Sequence, residues 1–125
     1  MKKLYISCPL EGRKYEDAIK TLKKMKSIAE IIFDQEFEVV NSSKLIEVEG
    51  LTKELFVEHV DDLMKADYFI GFNDCWEDWR HCEAELGLAR MWGIPWHALK
   101  LDDVAPDCIE ILRGKREIAM PVCPL

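Results

Sequence analysis

Glu85 lies in the stretch Phe72–Pro95, FNDCWEDWRHCEAELGLARMWGIP. On a helix it shares a face with Cys82, Ala89 and Trp92, at spacings of three, four and seven. Leu86 sits beside it, so this face reads as mostly apolar and turned toward a sheet. A carboxylate there is costly unless it is paired, hydrogen-bonded or open to a cleft. Two readings follow. Glu85 is a boundary residue whose head reaches solvent, or it is a chemical centre. Its position favours chemistry, because the helix begins just past a short apolar strand, Tyr68–Phe72, where open α/β sheets place their ligands. A carboxylate so placed can attack a sugar anomeric carbon and form a covalent glycosyl-enzyme.

Other chemistries find less support. There is no G-x-x-x-x-G-K-[ST] loop, no G-x-G-x-x-G fingerprint and no G-x-S-x-G elbow. Cys75, His81 and Cys82 are metal ligands in type, but their spacing matches no zinc pattern, so no metal is expected. Cys8, at the end of the first strand, is either a nucleophile or a small buried hydrophobe. His59 falls on an apolar helix stripe, where it is either a satisfied core histidine or a site residue. Trp76 and Trp79, in the loop before Glu85, read as a stacking wall for a base or as packing residues. Trp92 and Trp96 read as core or subunit-interface residues.

The elements that must position these groups are legible. Lys3–Ser7 reads as a first strand, turned at Pro9, with Gly12 in the loop that leaves its carboxyl end. Arg13 to Phe33 reads as a long amphipathic helix, with Tyr15, Ala18, Ile19, Leu22, Met25, Ile28, Ala29 and Ile32 on its apolar stripe. Its lysines (Lys14, Lys20, Lys23, Lys24 and Lys26) lie mostly off that stripe and read as a solvated face. Phe37–Val40 is the second strand. Thr52 caps a helix running to about Lys65, with Leu55, Phe56, Val60 and Leu63 inward. Tyr68–Phe72 is the third strand, Gly93 ends the helix that follows, and Trp96–Leu99 is the fourth. Asp107–Leu112 reads as a short helix and Glu117–Val122 as an edge strand, since Pro121 bars a central one. The alternation predicts an α/β fold, flavodoxin-like or Rossmann-like, with a mainly parallel sheet of four to five strands and helices on both faces.

Composition sets the bounds. A chain of 125 residues, 49% hydrophobic and 33% charged, suits one globular domain spanning residues 1–125. No apolar run approaches a membrane span, and MKKLYISCPL does not read as a signal peptide, so a cytoplasmic location without membrane association is expected. Five cysteines with no CxxC pair point to thiols rather than a disulfide framework. A formal net charge of −7 argues against nucleic acid as a partner.

Several motifs together resemble the nucleoside 2-deoxyribosyltransferase-like family, in particular a small phage and bacterial branch. Glu85-Leu86-Gly87, Ala89, Gly93 and Pro95 follow its E-L-G-x-A-x-x-x-G-x-P pattern. Tyr5-Ile6-Ser7-Cys8-Pro9-Leu10-Glu11-Gly12 resembles its first strand and loop, Trp76-Glu77 its G-W-E segment, and Ala66-Asp67 its approach to the third strand. The similarity runs through most of the chain in order. It implies cleavage of the N-glycosidic bond of a nucleoside or nucleotide, with Glu85 as nucleophile. The sugar then passes to another base or to water. The resemblance also implies a homo-oligomer, a dimer or higher, and no cofactor. It places Tyr5, Ser7, Cys8, Pro9, Gly12, His59, Asp62, Trp76, Glu77, Trp79 and His81 around the substrate. In such relatives a neighbouring subunit often completes the pocket after the fourth strand, where Asp102 and Asp103 stand.

The chain departs from that pattern at informative places. His59 occupies a position where an Asp is frequent, with Asp61 and Asp62 nearby. Trp79 replaces a small or acidic residue, His81 a Gly, and Cys8 the Gly of the first loop. Pro9, Glu11 and Trp79 stand where relatives that hydrolyse nucleotides hold the 5′-phosphate, which favours a nucleoside, although Arg80 at a helix start can hold an anion. These changes keep two rivals open. One is a catalytically silent relative that senses or sequesters a nucleotide-derived ligand. The other is an interaction domain that binds none.

Overall fold

The computed structural model describes residues 1–8, 15–41, 53–72 and 80–100. They form β1 (Lys2–Ile6), α1 (Tyr15–Phe33), β2 (Phe37–Val39), α2 (Lys53–Met64), β3 (Tyr68–Phe72), α3 (Arg80–Met91) and β4 (Trp96–Leu99). The strands make one parallel sheet in the order β2-β1-β3-β4. From β1 the chain first steps to β2 on one side. The next connection carries it back past β1 to β3. That reversal creates a switch point between the carboxyl ends of β1 and β3. This is the α/β, flavodoxin-like arrangement expected from the alternation of elements. Among the described residues no helix is long and apolar enough to cross a membrane. The expected helix at 107–112 and edge strand at 117–122 lie outside the described residues.

Strand alternation sorts the two layers. Leu4 and Ile6 of β1, with Ile70 and Phe72 of β3, pack with Leu22, Met25 and Ala29 of α1. Tyr5 and Phe69 point the other way and pack with Leu63 of α2 and Ala89 of α3. Helices therefore cover both faces, α1 on one and α2 with α3 on the other.

The helix ends have local causes. Gly93 takes φ +71° just past α3. The Ile94 amide donates to the Ala89 carbonyl and the Gly93 amide to Arg90, the paired bonds of a Schellman turn. This turn carries the chain into β4. Asp34 does the same for α1 at φ 53°, with the Gln35 amide on the Glu30 carbonyl.

Two expected core positions face outward. Ile32 is exposed, because Met25, Ala29 and Phe33 form the inward ridge, and Phe33 takes the last position against Phe37 and Tyr68. Trp92 is also exposed, since α3 ends at Met91 and the turn at Gly93 swings residue 92 off the sheet. Trp96 is exposed too, with the Arg90 guanidinium 5.1 Å over its ring. Neither tryptophan belongs to the core of this chain.

Candidate active site

The site is built at the carboxyl end of β1, on the face shared with α2 and α3. β1 and β3 pair in register, Tyr5 beside Phe69 and Ile6 beside Ile70, and the Tyr5 and Phe69 rings stack at 5.8 Å. The Ser7 amide donates to the Ile70 carbonyl at 2.9 Å, so the β1–β3 pairing extends past the last strand residue. On the other side β2 has already ended. Asn41 continues its ladder with a side chain: Nδ2 donates to the Ile6 carbonyl at 2.9 Å, and Oδ1 accepts from the Ile6 amide at 3.2 Å. The end of β1 is thus held from both sides where Ser7 leaves it.

Gly71 supplies the space. A Cβ added there would stand 2.9 Å from Cε1 of Phe69 and 3.2 Å from the Ser7 Cβ. The Phe69 ring is fully buried and stacked, so it has no room to yield. Only glycine fits beside these two side chains.

Glu85 reaches this corner from α3 and is 1% exposed. The boundary reading, with its head in solvent, is therefore wrong. The Tyr5 hydroxyl donates to its Oε2, and Ser7 Oγ donates to Oε1 at 2.7 Å. Nδ1 of His59, from α2, stands 3.6 Å from Oε2. His59 is itself buried, and its Nε2 has no hydrogen-bond partner among the described residues. It is not a satisfied core histidine.

Burial pushes the Tyr5 phenol far above the ordinary tyrosine value. The neighbouring Glu85 charge and the hydrogen bond to it add to the shift, followed by Cys82 and Asp62. Tyr5 therefore remains a donor at any physiological pH. Asp62, also buried, belongs to the same electrostatic neighbourhood.

Three elements thus converge. β1 brings two hydroxyls, α2 an imidazole and a carboxylate, and α3 the central carboxylate. A buried carboxylate with a donor on each oxygen is fixed in orientation and kept out of bulk water. Such a group can attack an electrophilic carbon or anchor a polar ligand.

The fold is shared with a known structure. The crystal structure of a conserved protein from Enterococcus faecalis V583 superposes with a TM-score of 0.57 at 19% identity, covering 95% of this chain and 77% of that one. The likeness is one of fold. No family model matches the chain, and no curated protein does.

Of the residues singled out in the sequence, Tyr5, Ser7, His59, Asp62 and Glu85 come together. Ser7 is engaged with Glu85. Cys8 is buried at the end of β1, and Cys82 is buried one turn before Glu85. Pro9, Gly12, Trp76, Glu77 and Trp79 lie outside the described residues, as do Asp102, Asp103 and the side chain of His81. Among the described residues no three His, Cys, Asp or Glu side chains gather as a metal site.

Sequence reasoning missed Asn41 and Gly71. A glycine inside an otherwise bulky strand, YFIGF, was a usable signal of close approach. Asn41 offered none beyond its place after a strand.

Proposed function

We propose that the chain cleaves or transfers the N-glycosidic bond of a nucleoside or nucleotide, with Glu85 as the nucleophile. The observation that carries this reading is the buried carboxylate at the switch point, oriented by Tyr5 and Ser7. The motif resemblance to nucleoside 2-deoxyribosyltransferase-like proteins supports it. That resemblance assigns the nucleophile to the residue that also proves to be at the centre of the buried cluster.

The chemistry follows from the two carboxylate oxygens. Tyr5 and His59 face Oε2, whereas Ser7 is the described donor to Oε1. Oε1 attacks the anomeric carbon as the carbon–nitrogen bond breaks, and the bonding pair leaves on the base, which takes a proton from solvent. Water or a second base then attacks the same carbon. The ester bond to Oε1 breaks, its electron pair returns to Glu85, and the incoming nucleophile loses its proton to solvent. Two displacements at one carbon retain its configuration. The proposal includes a homo-oligomer whose neighbouring subunit contributes to the pocket.

The test is base release. The protein is incubated with ribo- and deoxyribonucleosides and their 5′-monophosphates, with and without a second free base, and bases are followed by chromatography. Release or exchange is expected, and Glu85→Gln should lose it while keeping an unchanged melting curve. A fully active Glu85→Gln protein would sink the reading. Tight binding without turnover in the wild type would replace it with a sensing or sequestering role.

A further inference from the structure

The buried polar groups around Glu85 do not all satisfy one another. Tyr5 and Ser7 direct their hydroxyl hydrogens at Glu85. His59 has one nitrogen turned to the carboxylate and one that meets no partner among the described residues. With the His59 side chain only 5% exposed, that second nitrogen is a buried polar atom of the kind folded proteins rarely leave unmatched.

Its hydrogen-bonding character can be assigned. A bare lone pair on Nδ1 would face the lone pairs of Glu85 Oε2, so Nδ1 carries the hydrogen. In a neutral imidazole the other nitrogen is then an acceptor. Nε2 therefore asks for a donor from whatever occupies the site. The two ring nitrogens flank the same carbon, so Nε2 lies one ring edge from the atom that faces the nucleophile.

The proposed reaction limits which ligand atom can answer. This step rests on the N-glycoside reading. A reacting carbon sits about 3–3.5 Å from the attacking oxygen. Only groups one or two bonds from that carbon then come near Nε2. In a nucleoside these are the ring oxygen, the glycosidic nitrogen, and carbon 2′ with its substituent. The ring oxygen and the glycosidic nitrogen carry no hydrogen. A 2′-hydroxyl does, and the 3′- and 5′-hydroxyls are further along the sugar.

We infer that His59 reads the 2′-hydroxyl of the substrate: Nε2 accepts its hydrogen bond, and the site takes ribosides in preference to 2′-deoxyribosides. A 2′-deoxy ligand would shut Nε2 away from water with nothing to bond, which is how a polar site rejects an analogue lacking one hydroxyl. The resemblance to 2-deoxyribosyl-transferring proteins implies the reverse preference, so the two are separable by experiment. His59 also explains why this position differs from the frequent Asp. Beside Glu85 a second carboxylate would add like charge, whereas a neutral imidazole adds an acceptor without it.

The experiment compares adenosine and uridine with their 2′-deoxy counterparts. In wild type and in His59→Asn the ratio of riboside to deoxyriboside kcat/KM is measured. Asn keeps an N–H near the Nδ1 position and has nothing at Nε2. The intrinsic effect of the hydroxyl on bond cleavage cancels when the two ratios are divided. The ratio should fall about tenfold or more in His59→Asn, and His59→Gln, whose amide reaches toward the Nε2 position, should retain part of it. An unchanged ratio in His59→Asn overturns the inference.

A second arm needs no variant. Calorimetric binding to the wild-type protein, at a temperature where turnover is slow, should favour each riboside over its deoxy form by about tenfold. Equal affinities, or no binding of either, also overturn it. Wild-type protein that binds ribosides selectively but releases no base would fail the catalytic reading alone.

Discussion

The two faces of the sheet use the same strands for opposite ends. On the α1 face, Leu4, Ile6, Ile70 and Phe72 meet Leu22, Met25 and Ala29, a layer of aliphatic and aromatic side chains. On the α2–α3 face, the alternate residues Tyr5, Ser7, Phe69 and Gly71 meet His59, Asp62 and Glu85 as well as Leu63 and Ala89. One face stabilises by removing apolar surface from water. The other buries two carboxylates and an imidazole, groups that gain nothing from burial itself. The difference locates function without reference to any relative. A small protein tolerates such a cluster only if the opposite face supplies the stability, and the cluster persists only if the buried groups have a use.

That contrast can be broken from either side. The largest effect is expected on chemistry. Glu85→Gln should lower base release by about a thousandfold or more and leave the thermal transition in place, as read by chromatography and circular dichroism. Ile70→Ala should do the opposite. It removes a fully buried side chain from the α1 face and should cost about 2–5 kcal/mol in urea unfolding, with activity per folded molecule retained. A variant of Ile70 that stays stable but loses turnover would show that the faces are not independent.

Gly71→Ala tests the join between them. The new methyl meets Phe69 and Ser7 and should cost about 1–3 kcal/mol while also lowering activity, because Ser7 is the donor to Oε1. Loss of stability with full activity would mean that Phe69 alone moves. The smallest effect concerns pH. The Tyr5 phenol is raised in the folded chain, so its contribution is intact below the ordinary value of 10.0. As pH rises past that value the unfolded chain ionises first and stability falls, by up to about 1.4 kcal/mol per pH unit. Tyr5→Phe should flatten this alkaline decline in urea titrations. An equally steep slope in the variant would assign the decline to other groups.

Much of this organisation was written in the spacing of residues. Tyr68–Phe72 and Trp96–Leu99 have the strand limits expected from their apolar runs, and Gly93 ends α3 for the conformational reason that glycine suggests. Glu85 was legible because a charged residue on an apolar helix face needs an account. The outward turn of Trp92 was not, since helical spacing says nothing about where a helix stops short. Ile32 and Phe33 are neighbours that periodicity separates poorly, and packing against Phe37 and Tyr68 decides between them. Asn41 stayed hidden for a different reason. Its side chain replaces a backbone partner, so its role depends on where β2 ends relative to β1, a tertiary fact that no local pattern carries.

The hydrogen bonds on Glu85 also bear on when the site can exist. Tyr5 and Ser7 are 80 and 78 residues away along the chain. Contacts of that span close only after the intervening segments have been ordered, because the entropy of a long loop must be overcome first. During synthesis the two hydroxyls emerge early and wait for a carboxylate that appears only after β3 is made. A partly made or partly unfolded chain can hold a strand and a helix, yet it has no nucleophile in place. Activity should therefore return in refolding with the slowest native phase, making the reaction itself a report on completed assembly.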